Sequence, residues 1–125
     1  MATQGFRDLR VWQAGVDFAV SVYALTRSFP PNERYGLAGQ MQRAAVSISS
    51  NIAEGKMRDH IREYVHHVAI ARGSLAEVET QLEIAARLGY VTDDQAHTAS
   101  AVASSLGKQL TALHGALQRG LTTHR

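Results

Sequence analysis

The chain has 125 residues, of which 45% are hydrophobic and 19% are charged, and its formal net charge is +2 at pH 7. This length is the size of one domain, and the apolar fraction is sufficient to fill one core, which excludes a chain disordered by composition. The lack of cysteine excludes disulfides, zinc–thiolate sites and thiol nucleophiles, and the small net charge excludes a densely cationic nucleic-acid arm.

Four segments place apolar residues at alternating spacings of three and four, which is the pattern of a helix that buries one stripe. They predict helices over roughly residues 8–28, 33–54, 60–88 and 93–119. The predicted core stripes are Leu9, Trp12, Val16, Ala19 and Tyr23; Leu37, Met41, Ala44, Ile48 and Ile52; Ile61, Tyr64, Val68, Ala71, Leu75, Val78, Leu82 and Ala85; and Ala99, Ala103, Leu106, Leu110, Leu113 and Leu117.

Local signals mark where these helices begin and end. Asn32 is the expected N-cap of the second helix, and Gly55 its expected end. Gly89 suits the left-handed position after the third helix, and Thr92 with Gln95 matches a capping box for the fourth. Because the connections are short, each helix must fold back beside the previous one. We therefore predict one domain over residues 1–125, an all-α, antiparallel up-down-up-down four-helix bundle.

Some apolar residues exceed what such a protomer needs for its core. The first helix has a second stripe, and the third helix carries apolar residues and Gly73 away from its core stripe. Contiguous apolar patches usually mark contact surfaces, so these positions predict a homo-oligomer. The alternative is a wide core stripe with scattered surface apolar residues. The candidate interface residues are Val11, Phe18, Val22, Leu25, Ile70, Gly73, Ile84 and Leu88.

No constellation in the sequence is typical of an active site. Glu63 and His66 have the Glu-x-x-His spacing of di-iron bundles, but a second such pair is missing. No base is placed beside the serines of the second helix, and no glycine-rich phosphate loop is present. We therefore expect no catalytic residues, metal, cofactor or small-molecule substrate. No apolar run approaches the roughly 20 residues that span a bilayer, and residues 1–7 lack a signal core, so we expect no membrane partner and a cytoplasmic protein.

Cationic residues are concentrated in the first half of the chain. Residues 1–58 hold seven Arg and Lys against four Asp and Glu. Such cations contact phosphates and give salt-dependent affinity that is largely independent of sequence. An ordinary basic surface is the alternative. The candidate nucleic-acid-binding residues are Arg7, Arg10, Arg34, Arg43, Lys56, Arg58 and Arg62.

An ordered set of residues in helices two and three resembles a known family, the four-helix-bundle proteins of 23S rRNA intervening sequences. The resemblance covers roughly residues 6 to 117. It rests on Tyr35-Gly36-Leu37, Gln40, Arg43-Ala44, Ser47 to Gly55, Ile70 to Ser74, Glu77, Thr80-Gln81-Leu82, Ile84-Ala85 and Leu88-Gly89-Tyr90.

This resemblance implies a four-helix bundle of unsettled molecular role. The family is similar to the accessory variability determinant of diversity-generating retroelements, a basic pentameric bundle that binds nucleic acid and a reverse transcriptase. A homopentamer is thus implied by the resemblance. The loop Lys56-Met57-Arg58 departs from the family pattern, in which another glycine and more basic residues are common. We expect a non-catalytic oligomeric module that binds structured RNA or a nucleoprotein, or alternatively a protein-interaction scaffold without nucleic-acid affinity.

The resembling segments also contain polar residues on or near the core. A carboxylate or amide between helices must be hydrogen-bonded, because an unpaired buried group costs roughly 1–3 kcal/mol. We therefore predict a structural polar network that joins helices or subunits, with an arginine as the donor. Its candidate members are Arg43, Asn51, Glu54, Arg72 and Glu77.

Overall fold

The computed structural model describes residues 5–123, and this range consists of helices, turns and loops without a strand. The four α-helices are α1 (Arg10–Thr26), α2 (Leu37–Met57), α3 (Ile61–Arg87) and α4 (Asp93–Thr123). Two 3-10 turns, Phe6–Asp8 and Pro31–Glu33, precede α1 and α2. Each helix packs against its neighbours in the chain, and α1 also packs against α4. The predicted all-α fold with four helices is confirmed.

Contacts between chain-distant residues give the helices their antiparallel order. The Ser28 hydroxyl, just after α1, donates a hydrogen bond to the carbonyl of Tyr90, just before α4. At the other end, Gly120 of α4 packs against Ile61 at the start of α3. The start of α1 therefore lies at the same end of the bundle as the end of α2, the start of α3 and the end of α4.

Helix α2 begins later and ends later than the sequence pattern predicts. Its first turn is capped by Glu33, whose Oε1 accepts a hydrogen bond from the Leu37 N–H at 2.9 Å, and Asn32 is not the cap. Gly55 does not end the helix. A Cβ at this position would lie 2.8 Å from the Cβ of His67, so the glycine lets α3 approach α2 closely inside the helix.

The predicted turn between α3 and α4 is confirmed. Gly89 has φ +77°, and the Tyr90 N–H donates to the Ala85 carbonyl at 2.9 Å, which closes the end of α3. The Thr92 hydroxyl then accepts from the Gln95 N–H at 3.1 Å, while the Gln95 side chain accepts from the Thr92 N–H at 2.9 Å. This is the reciprocal capping box predicted for α4.

The stripe of α1 that faces the core is the one we assigned to an oligomer interface, and that assignment is wrong. Val11, Phe18 and Val22 are 7%, 1% and 2% exposed, and Leu25 is half-buried against the same core. The predicted core stripe is correct in part, since Ala19 is buried and Leu9 and Trp12 pack against the core, whereas Tyr23 is 46% exposed. The remaining candidates of the interface, which lie on α3, are not part of this core.

A close approach between α1 and α2 lies within the stripe that we assigned to an interface. A Cβ at Gly15 would lie 3.3 Å from the Cβ of Ser49, so the glycine brings the two helix backbones together. Gly15 lies in the middle of the stripe that contains Val11 and Phe18. The side chains around this contact consequently turn inward with it.

We expect Phe18→Ala to lower the free energy of unfolding by about 3–5 kcal/mol, because it opens a cavity in a packed core. Val20 is 65% exposed on the same helix, so Val20→Ala is the matched control and should change stability by less than about 0.5 kcal/mol. Urea denaturation of both variants measures the difference. Equal stability of the two variants would contradict this assignment of the α1 core face.

Candidate nucleic-acid interface and the adjoining polar seam

Five of the seven candidate nucleic-acid-binding cations lie at one end of the bundle, which we call the basic end. They come from three segments that are distant in sequence: the start of α1, the end of α2 and the start of α3. Packing of the Phe6–Asp8 turn against both α1 and α2 places this turn at the same end. The basic end contains Arg7, Arg10, Lys56, Arg58 and Arg62.

The two other candidates do not belong to this patch. Arg34 follows the Pro31–Glu33 turn at the opposite end, where its guanidinium lies 5.5 Å from the ring of Tyr35. Arg43 is an exposed residue in the middle of α2. Acidic residues occur at both ends, with Glu33, Asp93 and Asp94 at the opposite end and Asp8, Glu54, Asp59 and Glu63 at the basic end. The seven candidates therefore do not share one surface, because α2 separates them along its length.

Arg58 differs from the other cations of the basic end because two carboxylates bind it. Its Nη2 donates to Glu54 Oε2 at 2.7 Å, and its Nη1 donates to Glu63 Oε1 at 3.1 Å. The hydrogen bond from Arg58 lowers the pKa of Glu54, and the same carboxylate raises the pKa of Arg58. No acidic side chain in the described part of the chain forms an ion pair with the other four cations.

Between α2 and α3 runs a row of hydrogen-bonded polar side chains, which we call the polar seam. Ser47 and Ser74 share a hydrogen bond of 2.9 Å between their hydroxyls. The Asn51 amide donates to both the hydroxyl and the carbonyl of Ser47, at 3.0 and 2.9 Å. The remaining polar atom of Asn51, its Oδ1, accepts from His67 Nδ1 at 2.9 Å. Every polar atom of the Asn51 side chain is thus hydrogen-bonded.

The polar seam continues from His67 to the basic end. His67 Nε2 lies 4.0 Å from Glu54 Oε2, the same oxygen that binds Arg58. The His67 ring is further fixed by His66, whose ring centroid lies 5.5 Å away in an edge-on arrangement. Hydrogen bonds and the 4.0 Å approach of His67 to Glu54 therefore connect the interior of the α2–α3 interface to an exposed arginine.

The polar seam agrees only in part with the predicted network. It contains Asn51 and Glu54, but the arginine donor is Arg58, and the predicted donors Arg43 and Arg72 are wrong. Glu77 lies outside the seam and accepts only a long hydrogen bond of 3.5 Å, from Gln81. Sequence reasoning missed His67, Ser47 and Ser74. The available signal was their spacing, since Ser47 and Asn51 lie four residues apart on the face that α2 turns toward α3.

The outer face formed by α2 and α3 carries the interface candidates that stay exposed. Ile70, Ile84 and Leu88 are 37%, 43% and 55% exposed. No atom lies within 4 Å of a Cβ built at Gly73, so packing within the protomer does not require glycine there. Between the helices, Arg43 and Glu77 line an open groove of about 340 Å³. We call this surface the α2–α3 face.

The described residues contain no group of three or more His, Cys, Asp or Glu side chains that could hold a metal ion. An open groove of about 430 Å³ between α1 and α4 has Asp94 as its one titratable side chain. Within residues 5–123, no helix is long and apolar enough to cross a membrane.

The link between Glu54 and Arg58 predicts a specific pH dependence of stability. Because the pKa of Glu54 is lowered in the folded chain, its stabilising effect is present above the pKa of the unfolded chain and is lost as the pH falls through the folded value. We expect Glu54→Gln to be less stable than the parent near pH 7 and equally stable in acid. Urea denaturation between about pH 3 and pH 7 measures the difference.

The matched control for this experiment is Glu83→Gln. Glu83 forms the other i,i+4 pair, with Arg87 at 2.8 Å, on a more exposed surface. Such pairs contribute little because solvent screens them, so the control should show a smaller effect near pH 7. A difference between the Glu54→Gln variant and the parent that is constant with pH would rule out this carboxylate as the titrating group.

Comparisons with known proteins agree with the fold and place the chain in a family. A crystal structure of a protein with unknown function from the S23 ribosomal protein family of Bacteroides thetaiotaomicron superposes with a TM-score of 0.78. The two share 23% sequence identity over 84% of this chain and 95% of the other. No curated protein matches the chain. The model of the 23S rRNA-intervening sequence protein family matches residues 7–112, so the chain belongs to that family.

Proposed function

We propose that this protein is a non-catalytic, self-assembling helical bundle that binds nucleic acid through its basic end, with structured RNA such as ribosomal RNA as the preferred ligand. One observation carries the proposal: the fold gathers cations from three distant segments at one end. The name of the family, which refers to an rRNA intervening sequence, supports the choice of RNA. A cytoplasmic location belongs to the same proposal, because that is where ribosomal RNA is found.

The cations that remain available for phosphate are those without a carboxylate partner. Arg7, Arg10 and Arg62 are exposed, and Lys56 is half-buried. Binding of a phosphate backbone by such residues releases counterions, so affinity falls as the salt concentration rises. Four cations give weak binding in one protomer. In a ring of protomers the same patch repeats, and binding through several copies multiplies the affinity.

Self-assembly through the α2–α3 face completes the proposal. A second copy would remove from water the parts of Ile70, Ile84 and Leu88 that are still exposed, and this burial contributes roughly 25 cal/mol per Å² of apolar surface. Gly73 lies between Ile70 and Ile84 along α3, where it leaves room for a neighbouring backbone. The specific assembly that we propose is a homopentamer. We also propose that the protein is related to the accessory variability determinant of diversity-generating retroelements.

The same exposed face favours a second candidate function, a protein-interaction scaffold without nucleic-acid affinity. In that case the apolar residues of α3 would bind a protein partner, and the basic end would be an ordinary solvated surface. The two functions differ in one measurable property, which is affinity for RNA at low salt.

We expect the protein to bind rRNA fragments in a filter-binding titration, with an affinity that falls between two salt concentrations. Each phosphate contact contributes about 0.7–0.9 to the slope of log K against log salt. A quadruple variant of the basic end should therefore lower this slope by about 3 and weaken binding. The substitutions are Arg7→Gln, Arg10→Gln, Lys56→Gln and Arg62→Gln.

The control variant removes four positive charges from other parts of the surface. It therefore distinguishes an effect of where the charges lie from an effect of the net charge of the protein. It should keep most of the affinity and most of the slope. Equal losses in both variants would show that net charge alone attracts RNA, and no binding at low salt would favour the scaffold. The control substitutions are Arg27→Gln, Arg34→Gln, Arg72→Gln and Arg87→Gln.

For self-assembly, we expect light scattering to give a mass that is a multiple of the 13.6 kDa chain. Gly73→Leu and Ile84→Lys should shift this mass toward one chain without loss of helical circular dichroism, because both positions lie on the exposed side of α3. Val20→Lys, on the outer side of α1, is the matched control. A single-chain mass for the parent at micromolar concentration would contradict the assembly.

A further inference from the structure

A small aromatic cluster lies at the basic end, where Trp12 packs against the edge of the main core. The ring of Phe6 packs against the ring of Trp12 with 5.1 Å between centroids and an interplanar angle of 60°. The guanidinium of Arg7 lies 4.9 Å from the centroid of Phe6. Gln13 donates its amide to the carbonyl of Arg7 at 2.9 Å, which ties the Phe6–Asp8 turn to α1. The cluster is thus fixed in place.

This cluster differs from the aromatic pair that closes the opposite end of the bundle. There, Phe29 and Tyr90 lie 5.3 Å apart, and Phe29 is only 7% exposed. The Tyr90 hydroxyl donates to Glu33 at 2.8 Å, so a carboxylate stands beside those rings. At the basic end both Phe6 and Trp12 are partly exposed, and a cation stands beside the rings instead.

The surroundings of the cluster favour an anionic ligand that also has flat rings. Helix α1 begins beside it without a side-chain cap and without an acidic residue in its first turn, so the positive end of its dipole faces this site, with the exposed carboxylate of Asp8 as the nearest acidic group in the chain. Arg10 is exposed in that same turn. Proteins that bind single-stranded nucleic acid combine cations that follow the phosphates with aromatic side chains and arginines on which bases stack.

We propose that Phe6, Arg7 and Trp12 form a stacking site for an unpaired base, so that the basic end selects single-stranded or looped nucleic acid over continuous duplex. This inference rests on the proposed function and specifies its ligand class. In a duplex the base faces are covered by their neighbours, so a duplex reaches the cations but not the rings. A loop or single strand reaches both.

The protein carries its own reporter for this site, because Trp12 is the one tryptophan in the sequence. We expect a single-stranded oligouridine to change the Trp12 emission, with a midpoint equal to that of filter binding. A duplex RNA of the same length should leave the emission unchanged. Since stacking contributes about 1–3 kcal/mol per base, the single strand should bind about 5-fold or more tightly than the duplex.

A pair of variants separates stacking from charge. Phe6→Leu keeps an apolar side chain and every cation, and we expect it to lower single-strand affinity by about 5-fold or more while duplex affinity is unchanged. Tyr35→Leu is the matched control. The Tyr35 ring is 84% exposed and has the Arg34 guanidinium near it, 5.5 Å from its centroid, as Phe6 has that of Arg7, but it lies at the opposite end. Circular dichroism and thermal melting check that both variants remain folded.

The possible outcomes distinguish this inference from the function on which it rests. Equal binding of both RNAs with constant Trp12 emission would overturn the stacking site and leave RNA binding by the basic end in place. A larger loss in Tyr35→Leu than in Phe6→Leu would also overturn it. If neither RNA binds at low salt, the proposed nucleic-acid function fails as well.

Discussion

The close approach of α2 to its neighbours is the constraint on which the rest of the structure depends. Gly15 brings α1 against Ser49, and Gly55 brings α3 against α2 at His67. Where backbones approach this closely, the side chains around the contact have only one direction left, toward the shared core. The buried residues Val11 and Phe18 flank the first contact, and His67 of the polar seam lies at the second.

The polar seam also separates the cations of the basic end into two kinds, those bound by carboxylates and those without a carboxylate partner. Arg58 is bound by Glu54 and Glu63, and Glu54 is in turn close to His67, which is hydrogen-bonded to Asn51. Removing one member of such a chain leaves the next polar group unsatisfied. Arg58 is thus a structural residue in a position where sequence alone indicates a ligand for phosphate.

The surfaces available for binding lie at different places on the bundle. The basic end joins three chain segments, whereas the α2–α3 face runs along the side and carries Ile70, Gly73, Ile84 and Leu88. An assembly formed through the side leaves the ends of its protomers accessible, because the two surfaces do not overlap. The proposed self-association and the proposed binding of nucleic acid are therefore compatible in one molecule.

The sequence by itself determined what depends on near neighbours in the chain. Spacings of three and four predict the four helices, the local geometry of Gly89 ends α3, and Thr92 with Gln95 begins α4. Family membership also follows from residues read in order. These features involve interactions within a few residues, so their physical cause is visible in a short window of sequence.

Tertiary structure alone decided which residues of the two stripes of α1 are buried, that Gly55 is a packing residue, and which cations share a surface. Both stripes of α1 satisfy helical periodicity, and the close approach of α2 at Gly15 buries Val11 and Phe18, whereas Tyr23 stays exposed. His67 likewise became part of the polar seam because α3 lies against α2 there. Each of these outcomes depends on the distance between residues far apart in the chain, which no local pattern encodes.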